Sequence, residues 1–130
     1  MLHHYGFQSK LVKLIQYLYN NTKIAVILER SNTEWFKQTV GVRQGFVLSI
    51  DLFKIYLEHV MREALECMKY IGASINGSIV NNFCFADDIN LIARQLGDLQ
   101  HLLTKVKEVS TYWGLEISEI KTERLVIRTQ

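Results

Sequence analysis

Two adjacent acids, Asp87 and Asp88, interrupt a segment that is otherwise mostly apolar, FCFADDINLIA, from Phe83 to Ala93. Neighbouring carboxylates repel each other, so burying both as ions is costly unless a cation balances their charge. A divalent metal provides that balance, and magnesium binds one or two protein carboxylates together with the phosphate oxygens of a substrate. The pair is therefore a candidate metal site for chemistry on a phosphate.

The segments on either side could bring the two acids together. Successive side chains of a regular strand point to opposite faces, so both carboxylates converge only at a turn. The sequence predicts strands over residues 78–85 and 89–93, which places Asp87 and Asp88 at the connection of a hairpin. A purely structural explanation is also open, because aspartate is common in hairpin turns for backbone reasons alone.

The spacing of apolar residues predicts three helices. The first covers residues 9–20, and the second begins at Ser49 as its N-cap, with Asp51 in the first turn. The third begins at Asp98 as its cap and stops at Gly114. Their predicted apolar stripes are, in chain order, Leu11, Leu14, Ile15 and Leu18; Phe53, Leu57, Val60, Met61, Ala64 and Met68; and Leu99, Leu102, Leu103, Val106 and Trp113.

Short segments rich in β-branched residues predict the remaining strands. Residues 23–28 and 35–40 form a hairpin, and residues 115–117 and 125–127 are two short closing strands. With the helices, these elements predict one α+β domain spanning all 130 residues, in which helices pack on an antiparallel sheet.

Composition limits the classes of function. A hydrophobic content of 48% is enough for a packed core, and a net charge of +2 does not by itself indicate a nucleic-acid partner. Cys67 and Cys84 form no Cys-x-x-Cys unit, so neither a zinc site nor a disulfide framework is expected. The N-terminus lacks the apolar core of a signal peptide, and no apolar run reaches the roughly 20 residues of a membrane span. We therefore expect an intracellular protein with no membrane partner.

Three motifs, in order, resemble the reverse transcriptases of non-LTR (LINE-type) retrotransposons. FADDINLIA resembles the active-site hairpin of that family, and GVRQG, Gly41 to Gly45, resembles its nucleotide- and template-positioning motif. GLEISEIKTE, Gly114 to Glu123, resembles the Gly-Leu-x-Ile…Lys-Thr motif that follows the hairpin and its helix. The resemblance spans about Tyr5 to Ile127 and implies part of a polymerase palm.

The resemblance implies descent from an RNA-directed DNA polymerase. In such enzymes a primer 3′-hydroxyl attacks the α-phosphate of a dNTP with the help of two metal ions. Its partners would be an RNA template and a DNA primer, and its cofactor Mg²⁺. Asp87 would be a metal ligand, Asp88 a ligand or metal-orienting neighbour, and Lys121 a proton donor to pyrophosphate. Phe85 would pack beside the primer end.

The same resemblance implies that Arg43, Gln44 and Gly45 lie against the incoming nucleotide and the template. A glycine permits close approach, and a glutamine can both donate and accept hydrogen bonds. Simpler explanations are open: Arg43 and Gln44 as solvated loop residues, and Lys121 as an exposed turn lysine. Phe85 is expected in the core in either case.

The sequence also departs from the family pattern. Phe46, Val47 and Ile50 stand where the family carries a Cys-Pro pair and a second proline. The family's first metal-binding aspartate lies upstream of the helix that begins near Tyr5, and Met1 falls inside that upstream region. We therefore expect the isolated fragment to be inactive and to bind Mg²⁺ only weakly. The alternative is a catalytically dead transposon-derived remnant, or a module that binds nucleic acid or protein.

Overall fold

A computed structural model of the chain describes residues 1–28, 31–38, 41 and 45–127. Within these ranges the chain forms α-helices and short antiparallel strands, which confirms the predicted α+β class. The helices are α1 (Ser9–Asn20), α2 (Val47–Leu65) and α3 (Leu96–Tyr112); the strands are β1 (Lys23–Ile24), β2 (Phe36–Lys37), β3 (Ala73–Ile75), β4 (Ser78–Val80), β5 (Asn82–Phe85) and β6 (Asp88–Leu91); and 3₁₀ turns cover Leu2–Tyr5, Glu66–Met68 and Glu119–Lys121.

The contacts of the chain divide it into two compact units, Met1–Phe53 and Lys54–Gln130. The first unit contains α1, the β1–β2 hairpin and the first residues of α2. The second contains the rest of α2, the β3–β4 and β5–β6 hairpins and α3. The expected single domain over residues 1–130 stays a prediction.

The sequence predicted a single antiparallel sheet, and the described strands form separate hairpins instead. In the described part of the chain, the strands pair as three two-stranded sheets, β1–β2, β3–β4 and β5–β6. The predicted strand over residues 78–85 is interrupted at Asn81. The side-chain amide of Asn81 donates to the backbone carbonyl of Met68 at 3.2 Å. The backbone carbonyl of Asn81 accepts a hydrogen bond from the N–H of Ile92 at 2.8 Å. These bonds hold the chain between β4 and β5 out of one continuous strand.

The first helix, α1, has the predicted bounds but buries a different face. Val12 and Ile15 are each 6% exposed, whereas Leu11 and Leu14 are 43% and 54% exposed. The predicted stripe is therefore right at Ile15 and wrong at the two leucines. The buried pair has i, i+3 spacing, so both its members lie on one side of the helix.

The predicted N-cap of the second helix is wrong. Helix α2 begins at Val47, two residues before Ser49, so Asp51 is outside the first turn. Ser49 is 1% exposed, and its hydroxyl shares a 2.8 Å hydrogen bond with the hydroxyl of Tyr19. A buried hydroxyl needs a partner, and Tyr19 supplies one within the first unit.

The core of the second unit confirms most of the two predicted stripes. The buried apolar residues of this unit are Leu57, Val60, Met61, Ala64 and Leu65 from α2, and Leu102, Val106 and Val109 from α3. The outer side of α2 carries exposed charges of alternating sign at Lys54, Glu58 and Arg62, and Arg62 pairs with Glu58 at 2.9 Å. Helix α3 begins at Leu96 with Gln95 as its N-cap, so Asp98 is not the cap but lies in the first turn, where the helix dipole still favours an anion.

The two predicted closing strands are absent from the described residues. Residues 115–117 and 125–127 are not paired with any strand, and the 3₁₀ turn Glu119–Lys121 lies between them. Leu125 and Ile127 are each 83% exposed. Apolar β-branched composition alone does not make a strand, because the backbone groups need a partner strand. Among the described helices, none is long and apolar enough to cross a membrane.

Candidate functional site

The two acids lie at a tight hairpin turn in the second unit. Strands β5 and β6 are antiparallel, and their last paired residues are Phe85 and Asp88. Ala86 and Asp87 form the two-residue turn between them. Asp87 therefore lies in the turn as predicted, whereas Asp88 is the first residue of the second strand. Two-residue connections are the commonest in antiparallel hairpins.

Ala86 adopts a backbone conformation that L-residues with a side chain rarely take. Its φ is +53°, in the left-handed region. Only glycine enters this region without a steric penalty, and alanine there costs roughly 1–2 kcal/mol. The turn beside Asp87 is thus held in a strained conformation by the pairing of its two strands.

The register decides which side chains share a face of the hairpin. Residues directly opposite each other in an antiparallel ladder lie on the same face, as do residues two apart on one strand. Asp88 consequently shares a face with Phe85, and this face also carries Phe83 and Asn90. Sequence analysis did not identify Phe83 and Asn90, although a period-two count from Asp88 would have found them.

The expectation that Phe85 lies in the core is wrong. Its side chain is 80% exposed, and that of Phe83 is 54% exposed. Their face of the two-stranded sheet has no covering element among the described residues, so both rings meet solvent. Cys84 lies on the opposite face with Ile89. Partial desolvation raises the pKa of the Cys84 thiol, and the negative charge of Glu58 adds to the rise.

Both candidate carboxylates are exposed at the hairpin tip. Throughout the described ranges, neither Asp87 nor Asp88 has an ion pair or a side-chain hydrogen bond. No three His, Cys, Asp or Glu side chains come together as a metal-binding group in the same ranges. Two neighbouring carboxylates still offer the oxygen ligands that hard divalent cations prefer. The donor atoms that they offer are therefore chemically suited to such an ion.

Lys121 lies in the same unit as the two aspartates, but none of its described contacts joins it to the hairpin tip. It ends the exposed 3₁₀ turn Glu119–Lys121, and within the described residues its ammonium has no ion pair with either aspartate. The turn is tied to α3 instead, because the ammonium of Lys107 donates a hydrogen bond to the carboxylate of Glu119. That bond and the charge of Lys107 lower the pKa of Glu119.

The glycine-bounded loop lies in the first unit. Gly45 has φ +77°, and an added Cβ would meet no heavy atom within 4 Å beyond its chain neighbours. Arg43 and Gln44 lie outside the described residues, so their predicted positions against a nucleotide and a template stay predictions. The helix after the loop begins at Val47 without the proline that is favoured at a first helical position.

Comparison with known proteins identifies relatives of the chain. Residues 2–129 match the family described as "Reverse transcriptase (RNA-dependent DNA polymerase)". One relative, the "Retrovirus-related Pol polyprotein from type-1 retrotransposable element R2" of Nasonia vitripennis, is 31% identical over 114 residues, which are 87% of this chain and 11% of the relative. A second, the "Retrovirus-related Pol polyprotein from type-2 retrotransposable element R2DM" of Drosophila melanogaster, is 30% identical over 126 residues, 97% of this chain and 12% of the relative.

The chain therefore spans about one-eighth or less of the length of these two relatives. No solved structure matches the chain significantly.

Proposed function

Since the chain belongs to the reverse transcriptase family, with relatives in non-LTR (LINE-type) retrotransposons, we propose that Asp87 and Asp88 are two metal-binding carboxylates of a nucleotidyl-transfer site. The reaction is RNA-directed DNA synthesis, and the acting protein is a longer polypeptide that includes this chain. The substrates are an RNA template, a DNA primer and a dNTP. The family implies the use of divalent metal ions, and Mg²⁺ is the ion that we assign.

One observation carries this proposal: the two-residue turn leaves Asp87 and Asp88 side by side, exposed and without a compensating cation among the described residues. Two exposed carboxylates with no competing cation in the described ranges are available to bind divalent ions, which prefer oxygen ligands. When bound, such ions activate the primer hydroxyl and stabilise charge on the leaving pyrophosphate.

The chain's other residues would bind and orient the substrates. Phe85 shares the face of Asp88, so its exposed ring is available to the primer end. Gly45 leaves open space at its Cα, which suits close approach of a nucleotide or template. Arg43 and Gln44 would contact the same two partners through hydrogen bonds. Lys121 would donate a proton to the leaving pyrophosphate, a role for which an exposed ammonium is suited.

The deciding experiment is primer extension by the polypeptide encoded in the full-length transcript of the locus. We expect Asp87→Asn and Asp88→Asn each to lower dNTP incorporation on a primed RNA template by about 100-fold or more, the scale for losing a group that stabilises charge in a transition state. Asp98→Asn makes the same chemical change in the first turn of α3 and should retain incorporation.

Extension that persists in Asp87→Asn, or that falls equally in Asp98→Asn, would refute the assignment. The transcript also distinguishes the two hypotheses, an active polymerase and a catalytically dead remnant. An open upstream frame with an aromatic-x-x-x-Phe-Asp strand supports a polymerase, and stop codons there support a catalytically dead remnant.

A further inference from the structure

Two lysines lie directly opposite each other in the first unit, in the β1–β2 ladder. Lys23 pairs with Lys37, and both side chains are exposed. Over the residues that the structure describes, neither ammonium has an ion-pair partner. Like charges opposite each other destabilise a pair of strands. An anion bound between the two ammonium groups would remove this repulsion.

An exposed indole lies next to this pair of lysines. Trp35 is 71% exposed and lies two residues before Lys37, so the period of an extended strand places it on the same side as Lys37. The pair Ile24–Phe36 occupies the opposite side.

The backbone of the hairpin contains a bulge at the tryptophan. Between the Ile24–Phe36 pair and the Ile27–Asn32 bridge, the first strand has two residues and the second has three. The N–H of Thr33 donates to the carbonyl of Val26 at 3.0 Å, and the side-chain hydroxyl of Thr33 accepts from the N–H of Val26 at 2.9 Å, which leaves Glu34 and Trp35 as the bulged residues. A bulge bends its strand and changes the direction of a side chain, which is how ligand-contacting residues are often presented.

The distribution of charge agrees with an anionic partner. Residues 1–53 contain six basic and three acidic residues, whereas residues 54–130 contain nine basic and ten acidic ones. The positive excess of the chain thus belongs to the unit that carries the β1–β2 hairpin. A protein partner fits this surface less well, because lysine is depleted in the centres of protein interfaces.

We propose that the β1–β2 hairpin binds single-stranded RNA, with Lys23 and Lys37 on successive phosphates and Trp35 stacked on a base. Stacking requires an unpaired base, which excludes a continuous duplex as the preferred ligand. This inference rests on the proposed function for the identity of the strand, which would be the template. It adds a template-holding surface apart from the glycine-bounded loop.

The charge contribution is tested by the salt dependence of binding. The 130-residue chain is titrated in EDTA against a fluorescent 20-nucleotide oligo(U), and the anisotropy is followed from 50 to 200 mM salt. Losing two phosphate contacts on a single strand lowers the slope of log K against log salt by about 1.4. We expect that change for the Lys23→Gln/Lys37→Gln variant, and recovery of the slope in Lys23→Arg/Lys37→Arg.

The matched control is Lys10→Gln/Lys13→Gln, which removes the same charge from the exposed face of α1. Its slope should change by less than half as much. Equal slopes in the two glutamine variants would mean that the RNA responds only to net charge, and the proposal would fail. The Lys23→Gln/Lys37→Gln variant should also be at least as stable to urea as the parent, because a repulsive pair has been removed.

The stacking contribution is tested through the tryptophan. In a Trp113→Phe background, RNA should quench the emission of the sole tryptophan, and Trp35→Ala should weaken binding about tenfold while Trp35→Phe retains most of it. Absence of quenching, or self-association through Trp35 with unchanged RNA affinity, would overturn the proposal.

Failure of this inference is distinguishable from failure of the proposed function. RNA binding is measured in EDTA, so it does not depend on the metal site proposed at Asp87 and Asp88. If the hairpin variants bind RNA normally, only the hairpin inference is lost. If primer extension by the longer polypeptide is unchanged in Asp87→Asn, only the catalytic assignment is lost.

Discussion

Asp88 lies directly opposite Phe85 in the β5–β6 ladder, so a carboxylate and an aromatic ring share the exposed face of the hairpin next to Asp87. The pairing register, and not the order of residues alone, sets this arrangement. A shift of β6 by one residue would move Asp88 to the face opposite to that of Phe85. Stability of the short turn is therefore a condition for the proposed site.

Replacing Ala86 by glycine should stabilise the turn. Glycine relieves the strain at φ +53°, and the gain exceeds its extra entropy in the unfolded chain, so the free energy of unfolding should rise by roughly 0.5 kcal/mol. Urea denaturation measures the change. The control Ala93→Gly, at a position without positive φ, should lower stability by roughly 0.5–1 kcal/mol. Equal losses in the two variants would show that the turn is not strained.

The 130-residue polypeptide should give no primer extension on a poly(rA) template with Mg²⁺ or Mn²⁺. The proposed site has only two ligands, Asp87 and Asp88, and the part of the chain that the structure describes brings no third acid, histidine or cysteine to them. Most of the coordination of an ion is then left to water, which makes binding weak. Incorporation above background that Asp87→Asn abolishes would contradict this expectation, as would tight stoichiometric Mg²⁺ binding by calorimetry.

The Tyr19–Ser49 hydrogen bond should contribute to the stability of the first unit. Tyr19→Phe leaves the buried Ser49 hydroxyl without its partner, and we expect a loss of about 1–2 kcal/mol in the free energy of unfolding. A double-mutant cycle with Ser49→Ala should give a coupling energy of about 0.5–1.5 kcal/mol. Additive effects of the two changes would show that the bond does not form in solution. Ser9→Ala, at an exposed site, serves as the control.

Glu119 should titrate below the ordinary range for a glutamate, because the hydrogen bond from Lys107 and then its charge lower the pKa. A group with a lowered folded-state pKa contributes stability above its unfolded pKa and loses that contribution as the pH falls through the folded value. Lys107→Gln should move the carboxyl resonance of Glu119 to a higher titration midpoint in NMR, whereas Lys105→Gln should leave it in place. An unchanged midpoint in Lys107→Gln would mean that the pair is absent in solution.

Several features were predictable from the sequence because their causes are local. The bounds of α1 follow from its apolar spacing, and the turn at Asp87 follows from residues that favour hairpin connections. Gly114 ends the last helical segment with φ +76°, as expected for a glycine after a helix. The family resemblance carried by the three motifs is confirmed by the match over residues 2–129.

Other features were wrong where a distant contact outweighed a local preference. Serine is a favoured N-cap residue, yet the hydroxyl of Ser49 is buried and hydrogen-bonded to Tyr19, and the helix begins two residues earlier, at Val47. Phe85 has the hydrophobicity of a core residue, yet its face of the hairpin is uncovered in the described residues. Residues 125–127 have strand composition but no described partner strand. Each case depends on a neighbour far away in the chain, which periodicity does not encode.

The sequence by itself determined the α+β class, the helical periodicity, the acidic turn and membership of the reverse transcriptase family, because these reside in residue types and short spacings. Only the tertiary structure decided that Phe85 and Asp88 share an exposed face and that Lys23 lies opposite Lys37. The physical reason is that strand register is set by backbone pairing between segments, and a register shift of one residue exchanges the faces of every side chain.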